Sequence, residues 1–144
     1  MDRIDEKESL PPDERPSLRA REGSEPAVQF TVDSNRRVVI ARFGERLTAG
    51  DIQSYVEHLR SHPSFDSSFS EIADISDVKE LPLEAPDFLK LADQTDPFSV
   101  ESKRAFVAQT SVQKHAARMH KILRQQRNFE IFQTLGEAEE WIAT

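Results

Sequence analysis

Three groups of residues have types and spacings that could do chemistry. Asp74, Ser76 and Asp77 fall within the short stretch D-I-S-D. Two carboxylates and a hydroxyl so close together could form a ligand shell, and Ser76 is the only hydroxyl there open to modification. The same residue types also end strands, because Asp and Ser side chains bond to nearby backbone amides. Lys114, Arg118 and Lys121 form the second group, a basic stripe at helical spacing. Arg118 could grip a carboxylate or phosphate through two parallel hydrogen bonds, and a helix start at Ser111 would add its own attraction for an anion. The third group is histidine. His58 and His62 stand at i, i+4, but Leu59-Arg60-Ser61 between them departs from H-E-x-x-H and no third ligand is at hand. No metal site is expected there. His115 and His120 are five apart and point different ways on a helix, with His115 expected to pack beside an apolar stripe. No acid, base and nucleophile converge, so no catalytic residue and no cofactor is expected.

Charge is distributed unevenly around these groups. The 144 residues carry 19 Lys and Arg against 26 Asp and Glu, a net charge of −7. That balance argues against nucleic-acid binding, which needs a positive field to neutralise phosphates. Residues 71–101 hold nine acids and two bases, whereas residues 103–127 hold seven bases and no acid. Such a bipolar surface could dock a protein partner or a second copy of the chain. Two solvated faces that neutralise each other would read the same way. The chain has no cysteine. That rules out disulfides and thiolate chemistry and suits a cytoplasmic, reducing setting. MDRIDEKESL has no apolar core of the kind a secretory signal needs, and no apolar run reaches the length of an integral membrane segment.

The elements that position these residues follow from periodicity. Residues 1–26 contain four prolines and many charges but few aliphatics, the composition of a disordered charged leader. A domain over 27–144 follows. Val28, Phe30 and Val32 alternate with polar neighbours, and Val38 to Phe43 continue as a second strand. Asp33-Ser34-Asn35-Arg36 between them suits a hairpin turn. Thr48 and Asp51 cap a helix whose apolar face is Ile52, Tyr55, Val56 and Leu59. Glu71 to Ile75 reads as a strand, and Leu83 to Ala92 as a helix with Pro86 in its first turn. DQTDPFSVES reads as a loop, and Ala105 to Ala108 as a central strand. Ser111 to Gln125 is a helix with a buried stripe of Val112, Ala116, Met119 and Leu123, helped by Ile122. Phe129, Ile131 and Phe132 form the last strand. Thr134 and Glu137 cap a final helix docked by Leu135, Ala138, Trp141 and Ile142. The order is β-β-α-β-α-β-α-β-α, an α/β fold with a mixed sheet of about five strands and helices on its faces.

This chain resembles the SpoIIAA-like family, whose fold is close to that of STAS domains. The resemblance rests on Asp74-Ile75-Ser76-Asp77-Val78, on Arg104-Ala105-Phe106-Val107-Ala108, on Ala117-Arg118-Met119, and above all on Phe132-Gln133-Thr134-Leu135-Gly136-Glu137-Ala138-Glu139-Glu140-Trp141-Ile142. It covers most of residues 28–143 and implies a STAS-like sheet. Antagonists of the STAS class carry a phosphorylatable serine in a D-S-S-G-like turn, but Lys79 to Ala85 has no hydroxyl here. That switch does not carry over. His120 stands where the family often has tyrosine after A-R-M. The resemblance implies a fold and no reaction.

Two functional expectations follow. The first is a non-catalytic interaction or regulatory module, with a homodimer as one form it could take, presenting the strand-end acids and the basic helix. The second is a binder of a small anionic amphipath, its head on Arg118 and its tail under the Leu83–Ala92 helix. Similarity between STAS-like folds and lipid-transfer domains is the ground for the second. The two differ in an observable: the binder needs a closed cavity near the Asp74 strand end, whereas the interaction module needs an exposed charged face and no deep apolar pocket.

Overall fold

The computed structural model describes residues 26–144. Its sheet has five strands: β1 Val28–Asp33, β2 Val38–Phe43, β3 Ser70–Asp74, β4 Arg104–Val107 and β5 Phe129–Phe132. They lie side by side in chain order. The β1–β2 pair is antiparallel, and β2 to β5 run parallel. At the hairpin, Asp33 Oδ1 accepts from the backbone N–H groups of Asn35 and Arg36, and Arg37 takes a left-handed φ of 56°. The Arg36 side chain also bonds Asp33 and holds its carboxyl below the ordinary carboxylate value.

Four α-helices connect and cover these strands: α1 Ala49–Arg60, α2 Ala85–Lys90, α3 Ser111–Arg124 and α4 Leu135–Ile142. α1 begins at the expected Thr48–Asp51 capping box and buries Tyr55, Val56 and Leu59. α4 begins at the expected Thr134–Glu137 box. α2 is shorter than its apolar residues suggest. It starts after Glu84 with Pro86 in the first turn and passes into a π-helical turn over Leu91–Thr95.

Strand alternation divides the core in two. Val38, Ile72, Ala105 and Val107 point to one face and pack with Ala138, Trp141 and Ile142 of α4. Val39, Ala41, Phe43 and Ala73 point to the other and pack with Tyr55, Val56 and Leu59 of α1.

The buried stripe of α3 is not the apolar one. Val112 and Ile122 are 68% and 70% exposed, and Leu123 is exposed as well. Instead Gln113 and Ala117 are buried, and His120 and Arg124 are mostly so. Those four stand at i, i+4, i+7 and i+11, a proper helical stripe. The polar members are tolerated there because each makes hydrogen bonds that offset most of the cost of burial, although the buried Arg124 Nε–H has no partner among the described residues. Gln113 donates to the carbonyls of Ser76 and Val78, and Arg124 to those of Ala92 and Phe98. His115, expected to pack, is exposed. α3 ends at Gln125, whose left-handed φ of 58° turns the chain inward and buries Gln126.

Candidate functional site

Strand register places two opposite charges side by side inside the protein. Glu71 of β3 is paired in register with Arg104 of β4. Both point toward α1 and α3, and each side chain is 4% exposed. Glu71 Oε1 accepts from Arg104 Nε at 2.9 Å and from Nη2 at 2.8 Å, while Oε2 accepts from the Tyr55 hydroxyl at 2.7 Å. The other end of the guanidinium, Nη1, donates to Asp96 Oδ2 at 3.0 Å and to Gln126 Oε1 at 3.1 Å. Asp96 Oδ2 also meets His120 Nε2 at 2.7 Å. Arg124 lies 3.8 Å from the same oxygen, and the Phe98 ring lies under the Arg104 guanidinium at 4.5 Å.

Ion pairs this deep need complete hydrogen bonding to offset desolvation. Burial alone would raise the Asp96 pKa, but the Arg104 charge and the His120 hydrogen bond outweigh it and hold the carboxyl well below its usual range. Burial likewise opposes the charge on Arg104, and Glu71 and Asp96 keep it protonated. Burial and the neighbouring Glu71 push the Tyr55 phenol up, so it remains a donor.

Above this network lies a cavity of about 500 Å³ between the sheet and helices α1, α2 and α3. Ligand pockets commonly measure roughly 300–1,000 Å³. Ile52 and Val56 line it from α1, Phe88 and Leu91 from α2 and the π turn, and Ala73 and Phe106 from the sheet. Small side chains leave the space: Ala73 on the sheet faces Ala116 and Ala117 of α3, which also line the cavity. Phe106 shows the consequence, since it sits on a central strand yet is only half-buried. Exposed Lys79, Thr110 and Val112 mark the mouth, and Glu71, Asp96 and Arg104 lie at the inner, polar end. The space opens to solvent at that mouth, so water or a ligand can fill it.

The residues expected from sequence do not form one cluster. Ser76 lines the cavity near its mouth. Its hydroxyl and backbone N–H both bond Asp74 Oδ1, which is the local turn chemistry such residues favour. Asp74 itself does not line the cavity, and Asp77 pairs outside with Arg42 at 3.0 Å. Lys114, Arg118 and Lys121 lie away from the lining on α3. Arg118 is exposed, with no ion pair to any described residue, and Lys121 stands 5.9 Å from the Phe129 ring centre. Part of the charge asymmetry closes within the fold: Glu71 and Asp96 meet Arg104, and Glu101 meets Arg127. Neither Tyr55, Glu71, Asp96, Arg104 nor His120 was singled out as a site residue by sequence reasoning. A signal existed for two of them, because alternation places Glu71 with Ala73, and Arg104 with Phe106, on buried sides of apolar strands.

This geometry defines a class. The chain has a SpoIIAA-like fold: it is similar to the crystal structure of an uncharacterized DUF3478-family protein with a SpoIIAA-like fold from Shewanella loihica PV-4. The two share 19% identity with a TM-score of 0.59, over 85% of this chain and 99% of that one. No family model and no curated protein matches the sequence. Among the described residues, no helix is long and apolar enough to cross a membrane. The span 1–26 read as a leader lies, but for Pro26, outside the described residues.

Proposed function

We propose that this protein is a small-molecule-binding domain whose ligand is an elongated, largely apolar compound held between the sheet and α3. The observation that carries this reading is the 500 Å³ cavity, walled by carbon and closed at its inner end by a hydrogen-bonded charge network. Of the two expectations from sequence, only the binder needs such a space. Arg118, outside the lining, has no part in it.

Native mass spectrometry against the denatured mass, with titration of the neutral fluorophore N-phenyl-1-naphthylamine, tests the reading. We expect a retained mass or saturable probe binding, with Ala116→Phe losing probe binding by tenfold or more while melting cooperatively. Absence of both retained mass and saturable binding would sink it. An interaction role has separate support in the outer surface of α3, where exposed Ile122 lies near the exposed bases Arg118 and Lys121.

A further inference from the structure

Taking the cavity as a binding site, we infer that its ligand carries an uncharged hydrogen-bonding head, of the alcohol or carbonyl kind, at the inner end. The inner end already holds balanced charge: Glu71 and Asp96 face Arg104 and Arg124. Arg104 commits four of its five N–H groups to Glu71, Asp96 and Gln126. No parallel pair of N–H groups is left to grip a carboxylate. An entering anion would meet two buried carboxylates without a free cation, and an unpaired buried charge is among the costliest states a protein can hold. An entering cation would displace one of the guanidiniums from partners already in place.

The charged donors left over are single N–H groups: one on Arg104 Nη2, and the buried Arg124 Nε, which has no hydrogen-bond partner among the described residues and lies off the cavity lining. Asp96 is a carboxylate and can only accept, so His120 Nε2 carries the hydrogen of their 2.7 Å contact. The other ring nitrogen, Nδ1, is then left free to hydrogen-bond a ligand. The Tyr55 hydroxyl donates to Glu71 and keeps its own acceptor capacity. Thr95, buried beside Asp96 and lining the cavity, makes no side-chain hydrogen bond with a described residue and can donate or accept. A hydroxyl or carbonyl matches that set. At the mouth, Lys79 lies 3.5 Å from Glu45, so that cation is also engaged.

The test is displacement of N-phenyl-1-naphthylamine from the full chain by three probes of one chain length: decanol, decanoate and decyltrimethylammonium, at about pH 8, where decanoate is ionised. Decanol is expected to displace the fluorophore at concentrations tenfold or more below either ion. Thr95→Val, nearly isosteric, is expected to weaken decanol severalfold relative to decane-chain probes that lack a hydroxyl. Decanoate or the ammonium competing as well as decanol would overturn the inference while leaving the cavity reading intact. Failure of the fluorophore and all three probes to bind would overturn the cavity reading and the inference with it.

Discussion

On one side of the sheet, Val38, Ile72, Ala105 and Val107 meet Ala138, and none of these is more than 1% exposed. On the other side, the next residues along the same strands are Glu71, Ala73, Arg104 and Phe106, facing a cavity and an ion-pair network. One backbone thus presents a close-packed apolar surface on one side and, on the other, an apolar core under α1 that gives way to a roomy polar region under α3, because side chains alternate across a strand. The α4 side invests its burial in cohesion. The α1–α3 side leaves volume unfilled and charges desolvated, conditions that stability alone would not select. That difference is the ground on which the proposed binding function rests.

The largest effects should come from breaking the network. Glu71→Ala leaves Arg104 short of its strongest partner and the Tyr55 hydroxyl without its acceptor, and should cost about 3–5 kcal/mol in denaturant unfolding. The double change Glu71→Leu with Arg104→Met should recover much of that loss, since replacing both charges removes the desolvation cost as well. A double variant as unstable as the single one would mean that the network is a structural necessity. Acid acts on the same groups. The folded-state pKa of Asp96 lies below its ordinary 3.8. The stability it contributes is therefore fully present above about pH 4 and is lost as pH falls further through the folded value. Urea unfolding at successive pH values should show a steep loss below pH 4 that Asp96→Asn makes shallower.

Packing gives the next contrast. Ala138→Leu adds volume to the filled face and should destabilise by roughly 1–3 kcal/mol. Ala116→Leu adds the same volume beside the cavity and should be neutral or stabilising, while reducing probe binding. Thermal melts of the two variants side by side settle it, and equal losses would mean that the cavity has no room to give.

Legibility from sequence follows the same division. The strands were readable because Val28, Phe30 and Val32 alternate, and two helix starts were readable because Thr48 with Asp51 and Thr134 with Glu137 form capping boxes. These signals are local. The cavity is not local: it arises from alanines on two separate elements, and no periodicity sums volumes across elements. Asp96 lies just past the π turn in a stretch without pattern, and its burial depends on Arg104 and His120 arriving from elsewhere. Glu71 and Arg104 were within reach, since both break an apolar strand on its buried side. Counting apolar residues alone also chose the wrong side of α3, because that rule assumes polar side chains face water.

That last point yields an inverted pair of mutations on a single helix. Gln113 is 4% exposed; its amide nitrogen serves Ser76 and Val78, and its oxygen accepts from the backbone of Gln109 at 2.7 Å and Thr110 at 3.1 Å. Gln113→Ala should therefore cost about 1–3 kcal/mol, the penalty for leaving buried polar groups unpaired. Ile122, 70% exposed, should tolerate Ser within about 0.5 kcal/mol. Loss of a glutamine would then hurt more than loss of an isoleucine, the reverse of what hydropathy ranks. If equilibrium unfolding instead finds Ile122→Ser the costlier change, α3 presents its apolar side inward. The polar stripe, His120 included, would then leave the cavity, and the two sides of the sheet would differ far less than their residues suggest.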